Sequence, residues 1–94
     1  MDFRQLRHTL RNKLEAIEDR QGDHIYYYLT MCDGEHRVGK VSHSVRGSDK
    51  VDDYIVKDLA RRLRLDKKEF FQLVDCTIDR EAHTKLWKAR ALGV

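Results

Sequence analysis

The sequence contains no proline and only two cysteines in 94 residues. Because proline interrupts helix interiors, its absence fits a chain rich in helix. Cys32 and Cys76 lack the Cys-x-x-Cys spacing of metal and redox motifs, and two thiols cannot form a disulfide framework. This cysteine usage favours two reduced thiols in a cytoplasmic protein.

Long apolar runs are also missing. No stretch approaches the roughly 20 apolar residues that a membrane-spanning helix needs. The amphipathic amino terminus lacks the apolar segment of a secretory signal, so we expect no membrane partner. The composition, 40% hydrophobic and 37% charged, is typical of one soluble globular domain. The net charge of +3 is a mild basic excess that is compatible with an anionic partner.

The chain divides into segments of distinct periodicity. Apolar residues at helical spacing run from Phe3 to Leu14, with Ile17 as a possible last member of the stripe. The β-branched and aromatic run at residues 24–30 and the return segment at 35–45 predict two strands joined by an Asp-Gly turn. A further short strand is possible between the helix and this hairpin.

The second half of the chain predicts helices. One extends from about Asp52 to Leu65, and Asp66 with Glu69 forms a capping-box pattern that opens a short helix. Asp79 is placed to cap a last helix whose apolar side would carry Ala82, Leu86 and Ala89. We therefore expect an α+β fold with the order helix, small antiparallel sheet of two or three strands, helix, then one or two short helices. The helices would cover one sheet face. Residues 1–76 would form the domain, and 77–94 a helical extension packed on it or on a partner.

The hairpin turn predicts which residues share a face. If Asp33-Gly34 forms a two-residue turn, His24 lies opposite His43, on the face that also carries Tyr26 and Tyr28. Opposed residues have Cβ atoms roughly 4.5–5.5 Å apart, so the two imidazoles would be neighbours. A bulge or a longer turn would separate them. The same register turns a second set of residues toward the helices, namely Ile25, Tyr27, Leu29, Val38, Lys40 and Ser42.

Two neighbouring histidines suit RNA cleavage through the 2′-hydroxyl, which needs one base and one acid near neutral pH. The segment from His36 to Ser48 contains no acid, and its cations would stabilise the charge on the phosphate: Arg37, Lys40 and Arg46. Tyr26 and Tyr28 are candidates for stacking on unpaired bases.

Simpler interpretations stand beside this one. Histidine on a strand is more often a surface residue than a catalyst, and consecutive tyrosines are good strand formers. A metal site built from His24, His36, His43 and Cys32 matches no zinc spacing, so we expect no metal and no cofactor.

Three short motifs give the chain a family likeness: Gly22-Asp23-His24 at the start of a strand, Ser42-His43-Ser44 at the end of the following strand, and Leu65 to Phe70 at the end of the second helix. In this order they resemble the HicA-type toxins of bacterial and archaeal toxin–antitoxin pairs. The resemblance covers residues 3–75 and implies a double-stranded-RNA-binding-like fold and ribosome-independent mRNA interferase activity. It also implies His24 as the catalytic residue and a cognate antitoxin protein as partner.

The chain departs from the family pattern at several positions. Asp23 stands where the family usually has Ser or Thr, Gln21 where it has a basic residue, and Glu15 near the glycine that often ends its first helix. Three hypotheses follow: a metal-independent endoribonuclease acting on single-stranded or messenger RNA, a non-catalytic nucleic-acid-binding module, and a protein-interaction module. The last would use the C-terminal helix for a partner or a homodimer.

Overall fold

The computed structural model describes residues 1–42 and 44–91. The protein is α+β, with helices before and after a three-stranded antiparallel sheet of order β1-β2-β3, as the sequence predicted. The elements are α1 (Phe3–His8), a π-helical turn (Thr9–Lys13), β1 (Ile17–Gln21), β2 (His24–Met31), β3 (Gly34–Ser42), α2 (Asp53–Arg62), α3 (Lys67–Val74) and α4 (Arg80–Ala91). Among the helices of these residues, none combines the length and apolarity needed to cross a bilayer.

The first helix presents its apolar stripe to the core, where Leu6, Leu10 and Leu14 are at most 1% exposed. Glu15 then takes a left-handed φ of 58°, and the Ala16 N–H donates to the Leu10 carbonyl at 2.8 Å. This geometry ends the helix and redirects the chain into β1. Ile17 is therefore 56% exposed on the far side of the sheet, so its assignment to the helix stripe was wrong.

The β2–β3 hairpin turns one residue earlier than predicted. Met31 pairs with Gly34, so the two loop residues are Cys32 and Asp33. Both keep a negative φ, and Gly34 alone takes a positive value, 116°. A type I′ turn centred on Asp33 and Gly34 would need a positive φ at both residues, but only the glycine adopts one.

A bulge shifts the register once more. Tyr28 pairs with Arg37 and Tyr27 with Gly39, which leaves Val38 as the extra residue of β3. Val38 and Gly39 are both buried, and α2 crosses this point so closely that a Cβ on Gly39 would lie 2.8 Å from Leu59 Cδ2. The covered sheet face thus carries Ile25, Tyr27, Leu29 and Val38 as expected. The expected burial of Lys40 and Ser42 was wrong, since both are exposed.

The second half of the chain closes over the covered face. The predicted capping box is confirmed at α3, where the Glu69 N–H donates to Asp66 Oδ1 at 2.7 Å and the reciprocal bond is 2.9 Å. Asp79 accepts from the Ala82 N–H at 2.8 Å, as predicted for the cap of α4.

The buried side of α4 is only partly the one predicted, because Leu86 packs against the core but is not fully buried. His83 and Trp87, one turn apart, are each 1% exposed, whereas Ala89 is exposed. Because Trp87 is the largest buried side chain of the described residues, α4 packs on the domain through this indole.

Candidate nucleic-acid interface

The sheet has one covered face and one open face. Along β2 the side chains alternate, so Ile25, Tyr27 and Leu29 point into the core and are at most 4% exposed. His24, Tyr26 and Tyr28 lie on the open face and are half-buried by their neighbours. Gly22, with φ of 59°, forms the turn that places His24 as the first residue of the strand.

Cross-strand pairing sets the neighbours of these three residues. His24 lies opposite Ser42, Tyr26 opposite Lys40 and Tyr28 opposite Arg37. The predicted pairing of His24 with His43 was therefore wrong, because the earlier turn and the bulge together move β3 by one residue at this end. His43 itself lies outside the described residues.

The open face brings an imidazole, an aromatic ring and cations together. The rings of His24 and Tyr26 have centroids 6.2 Å apart at an angle of 46°. The Arg37 guanidinium carbon lies 5.3 Å from the Tyr26 centroid, within the range of a cation–π interaction. Lys40, opposite Tyr26, is the diagonal neighbour of His24, and neither Lys40 nor Arg37 pairs with a carboxylate among residues 1–42 and 44–91. Four of the predicted site residues thus share one surface.

A groove of about 830 Å³ continues this surface between β3 and α2. His24, Arg37 and Lys40 line its sheet side, and its floor is apolar, with Val41, Ile55 and Leu59 among the lining residues. The opposite wall comes from α2. Its polar members were not predicted from the sequence: Tyr54, Lys57, Asp58, Arg61 and Arg62. The available signal was Tyr54, an aromatic residue outside the apolar stripe of its own helix.

Arg46 lies apart from the other predicted residues. It is exposed in the loop between β3 and α2, and it is not among the residues that line the groove. The backbone N–H of Arg46 donates to Asp49 Oδ2 at 2.8 Å. Asp49 is the first acid after the segment from His36 to Ser48, and this bond places its carboxylate beside the backbone of Arg46. Arg46 is therefore not one of the residues that the groove brings together with His24.

A partly buried ion pair fixes the sheet from its covered side. Arg7 Nε donates to Glu18 Oε2 at 2.8 Å, and the Tyr27 hydroxyl donates to the same oxygen at 2.7 Å. Desolvation raises the pKa of Glu18, but the hydrogen bonds from Arg7 and Tyr27 outweigh it and hold the pKa below its ordinary value. Burial, together with Glu18, raises the pKa of the Tyr27 phenol. The cluster anchors β1 and β2 to α1, so Tyr27 has a structural role while Tyr26 and Tyr28 remain on the open face.

The described residues contain no group of three or more His, Cys, Asp or Glu side chains arranged to hold a metal ion. His36 points to the covered side instead, with Nε2 3.0 Å from Asp33 Oδ1 and its ring 4.9 Å from that of Trp87.

Comparison with known proteins identifies no relative, since no family model, curated protein or solved structure matches the chain. The likeness to HicA-type toxins therefore remains a prediction from the motifs.

Proposed function

We propose that this protein binds single-stranded or messenger RNA on the open face of its sheet and cleaves it without a metal, with His24 as an acid or base. Under this proposal the chain is an endoribonuclease of the HicA type, the toxin of a toxin–antitoxin pair, and a cognate antitoxin protein would bind it in the cell.

The observation that carries the proposal is the grouping of His24, Tyr26, Arg37 and Lys40 on one accessible surface. Histidine is the side chain best suited to both accept and donate a proton near neutral pH. The two cations are free to approach a phosphate because no carboxylate of the described residues pairs with them. Folding and stability alone do not require these side chains to lie around a histidine.

The chemistry follows from these groups. The 2′-hydroxyl of the RNA attacks the adjacent phosphorus as its proton passes to a base, and the bond from phosphorus to the 5′-oxygen breaks as that oxygen gains a proton. The products are a 2′,3′-cyclic phosphate and a free 5′-hydroxyl. His24 serves one of the two proton transfers, while Arg37 and Lys40 stabilise the charge that accumulates on the phosphate oxygens.

The aromatic residues give the surface its preference for unpaired RNA. A base that is not paired exposes its ring face, and stacking on an aromatic side chain contributes about 1–3 kcal/mol per base. Tyr26 presents such a ring beside His24, with Arg37 over it at 5.3 Å. A base stacked at Tyr28, the next residue on this face, would extend the contact along β2.

The test is cleavage of a labelled single-stranded RNA by purified protein in EDTA, compared with His24→Ala. The control is His8→Ala, which removes an exposed imidazole from α1 on another part of the molecule. We expect wild type and the control to release a 2′,3′-cyclic phosphate at similar rates, and the rate of His24→Ala to fall by about 100-fold or more. Equal cleavage by all three proteins would remove His24 from the mechanism.

Binding without cleavage is the alternative that the same surface allows. Neutralising Arg37 and Lys40 together should then weaken RNA binding and lower the salt slope of log Kd by about 1.4, since each phosphate contact to a single strand contributes about 0.7. If no product forms but this change in slope is found, the protein is a binding module. An unchanged slope would exclude this surface as the RNA site.

A further inference from the structure

The groove between β3 and α2 has a second wall, which α2 forms. Tyr54, Lys57 and Arg61 follow one another at helical spacing on one side of α2, and all three are exposed. They face the sheet wall that contains His24 and Lys40 across the same groove. A ligand held on the open sheet face near His24 therefore has a continuous path into the groove.

We propose that the RNA strand continues from His24 into this groove, where one unpaired base stacks on Tyr54 and the phosphates of the flanking nucleotides contact Lys57 and Arg61. This inference rests on the proposed function, and it specifies the substrate as single-stranded RNA with at least one nucleotide beyond the scissile bond.

Charge is concentrated in this groove. Its lining includes five cations, Arg37, Lys40, Lys57, Arg61 and Arg62, but only two carboxylates, Asp52 and Asp58. Asp58 pairs with Arg61 at 2.7 Å and with Arg62 at 2.9 Å, and Lys57 pairs with Asp53 at 3.3 Å. These carboxylates are accessible to solvent, so a phosphate that binds Lys57 and Arg61 would replace them as the partner. The chain has 19 basic and 16 acidic residues. Without the five cations and two carboxylates of the groove, fourteen basic and fourteen acidic residues remain, and their charges cancel. The whole formal excess of +3 is therefore located here, which is the distribution expected for an anionic ligand.

Tyr54 favours a nucleic acid with unpaired bases as the anion. Its side chain is 70% exposed, the largest exposed fraction among the large hydrophobic residues that the structure describes. The core side of α2 is occupied by Val56, Leu59 and Ala60, so Tyr54 contributes little to packing. An acidic polypeptide would be attracted by the cations alone, whereas a base has a ring face that an exposed phenol can stack against. Stacking of this kind requires an unpaired base, which excludes a duplex.

The first experiment measures affinity separately from cleavage. His24→Ala protein is titrated into fluorescein-labelled single-stranded RNA, and anisotropy is followed with and without a second substitution. Adding Tyr54→Ala should weaken binding by about 5-fold to about 150-fold, the range that corresponds to one stacked base. Tyr54→Phe keeps the ring and should change the affinity by less than about 2-fold. The control is Phe71→Ala, which removes an aromatic residue that is 37% exposed on α3 and should leave the affinity unchanged.

The second experiment counts phosphates. Lys57→Gln with Arg61→Gln should lower the salt slope of log Kd by about 1.4. The matched control carries the same charge change on α4, Lys85→Gln with Lys88→Gln, at two exposed positions outside the groove. This control pair should leave the slope as it is, and circular dichroism establishes that each variant is folded.

The outcomes separate the inference from the proposed function. If His24→Ala cleaves as fast as wild type while Tyr54→Ala still weakens binding, the catalytic assignment fails and the groove assignment stands. If His24 is required for cleavage but Tyr54→Ala and the Lys57/Arg61 pair bind like their parent, the groove assignment is overturned. It is equally overturned if the protein binds no RNA, or if an RNA duplex or polyglutamate binds as tightly as the single strand.

Discussion

The indole Nε1 of Trp87 donates a hydrogen bond of 3.1 Å to the carboxylate of Asp33, which ties α4 to the tip of the β2–β3 hairpin. The guanidinium carbon of Arg64 lies 3.8 Å from the centre of the same indole, and its Nη2 is 3.4 Å from Asp33 Oδ2. Desolvation raises the pKa of Asp33, but hydrogen bonds from His36 and Trp87 outweigh it and lower the pKa. The C-terminal helix is therefore bound to the hairpin that carries the candidate site.

This contact predicts that the extension contributes to folding. Trp87→Ala should lower the free energy of unfolding by about 3–5 kcal/mol, because it empties a site that is 1% exposed. Truncation after Asp75 should destabilise at least as much, measured by urea denaturation, whereas Lys88→Ala on the exposed side should have little effect. A truncated protein that keeps its stability but no longer self-associates would show that the helix is an interaction element instead.

The crossing of α2 over β3 predicts a steric effect at Gly39. An added Cβ would lie 2.8 Å from Leu59 Cδ2, and Leu59 is 1% exposed with little room to move. Gly39→Ala should therefore cost about 1–3 kcal/mol of stability. Gly47→Ala is the control, since its nearest neighbour would lie at an ordinary 3.5 Å. In the presence of Leu59→Val the Gly39→Ala cost should shrink, and an undiminished cost would mean that this contact is not its source.

The backbone of Cys76 adopts a left-handed conformation that favours glycine, so a substitution there should relieve strain. This exposed residue follows α3 with a φ of 68°, and the Thr77 N–H donates to the Gln72 carbonyl at 2.8 Å around it. The left-handed conformation costs a residue with a side chain about 1–2 kcal/mol, and glycine adopts it freely at an entropic cost of about 0.4–1 kcal/mol. Cys76→Gly should therefore raise stability by up to about 1 kcal/mol. Cys76→Ala retains the Cβ and should show no gain, so an equal gain from both variants would contradict the strain argument.

We expect the buried His83 to lower the free energy of unfolding at mildly acidic pH. Its Nε2 lies 3.0 Å from the Leu63 carbonyl oxygen, and burial lowers its pKa below 6.5 more than this hydrogen bond raises it. The unfolded chain keeps the ordinary value near 6.5 and takes up a proton that the folded protein resists. The contribution of His83 is thus complete above about pH 6.5 and is lost as pH falls toward the folded pKa.

The measurement is urea unfolding across a pH series for wild type and His83→Gln, which keeps an N–H donor but does not titrate. We expect the profile of the variant to be flatter between about pH 7 and about pH 5. The titration of Glu69, whose pKa the Arg90 hydrogen bond lowers to about 2, falls in a more acidic range and is common to both proteins. Parallel profiles would show that His83 is not the group responsible.

The sequence predicted the fold better than it predicted the site. Local patterns decide where helices form. Two such patterns are the apolar stripe of Leu6, Leu10 and Leu14 and the capping box of Asp66 and Glu69. The sequence also predicted that Tyr26 and Tyr28 share a face of the sheet, because side chains alternate between faces along β2 whichever strand it pairs with.

Pairing across the hairpin was not predictable in the same way. The position of the turn depended on which residue near Asp33 accepts a positive φ, and the bulge at Val38 accompanies the close approach of α2 at Gly39. The earlier turn shifts the pairing by two residues and the bulge restores one of them, which leaves His24 opposite Ser42. Neither change is visible in the hydrophobic pattern of the sequence. The wall of the groove that contains Tyr54 needed the packing of α2 beside β3, which no local pattern specifies.

The central claim is that RNA binds the open sheet face around His24. The most direct measurement is NMR chemical-shift mapping of 15N-labelled protein with a single-stranded RNA whose 2′-hydroxyls are methylated, so that it binds without being cut. The account predicts that the largest amide shifts occur at His24, Tyr26, Arg37 and Lys40, with α1 and the exposed side of α4 unchanged. Shifts concentrated on α1 or α4, or no shifts at all, would contradict it.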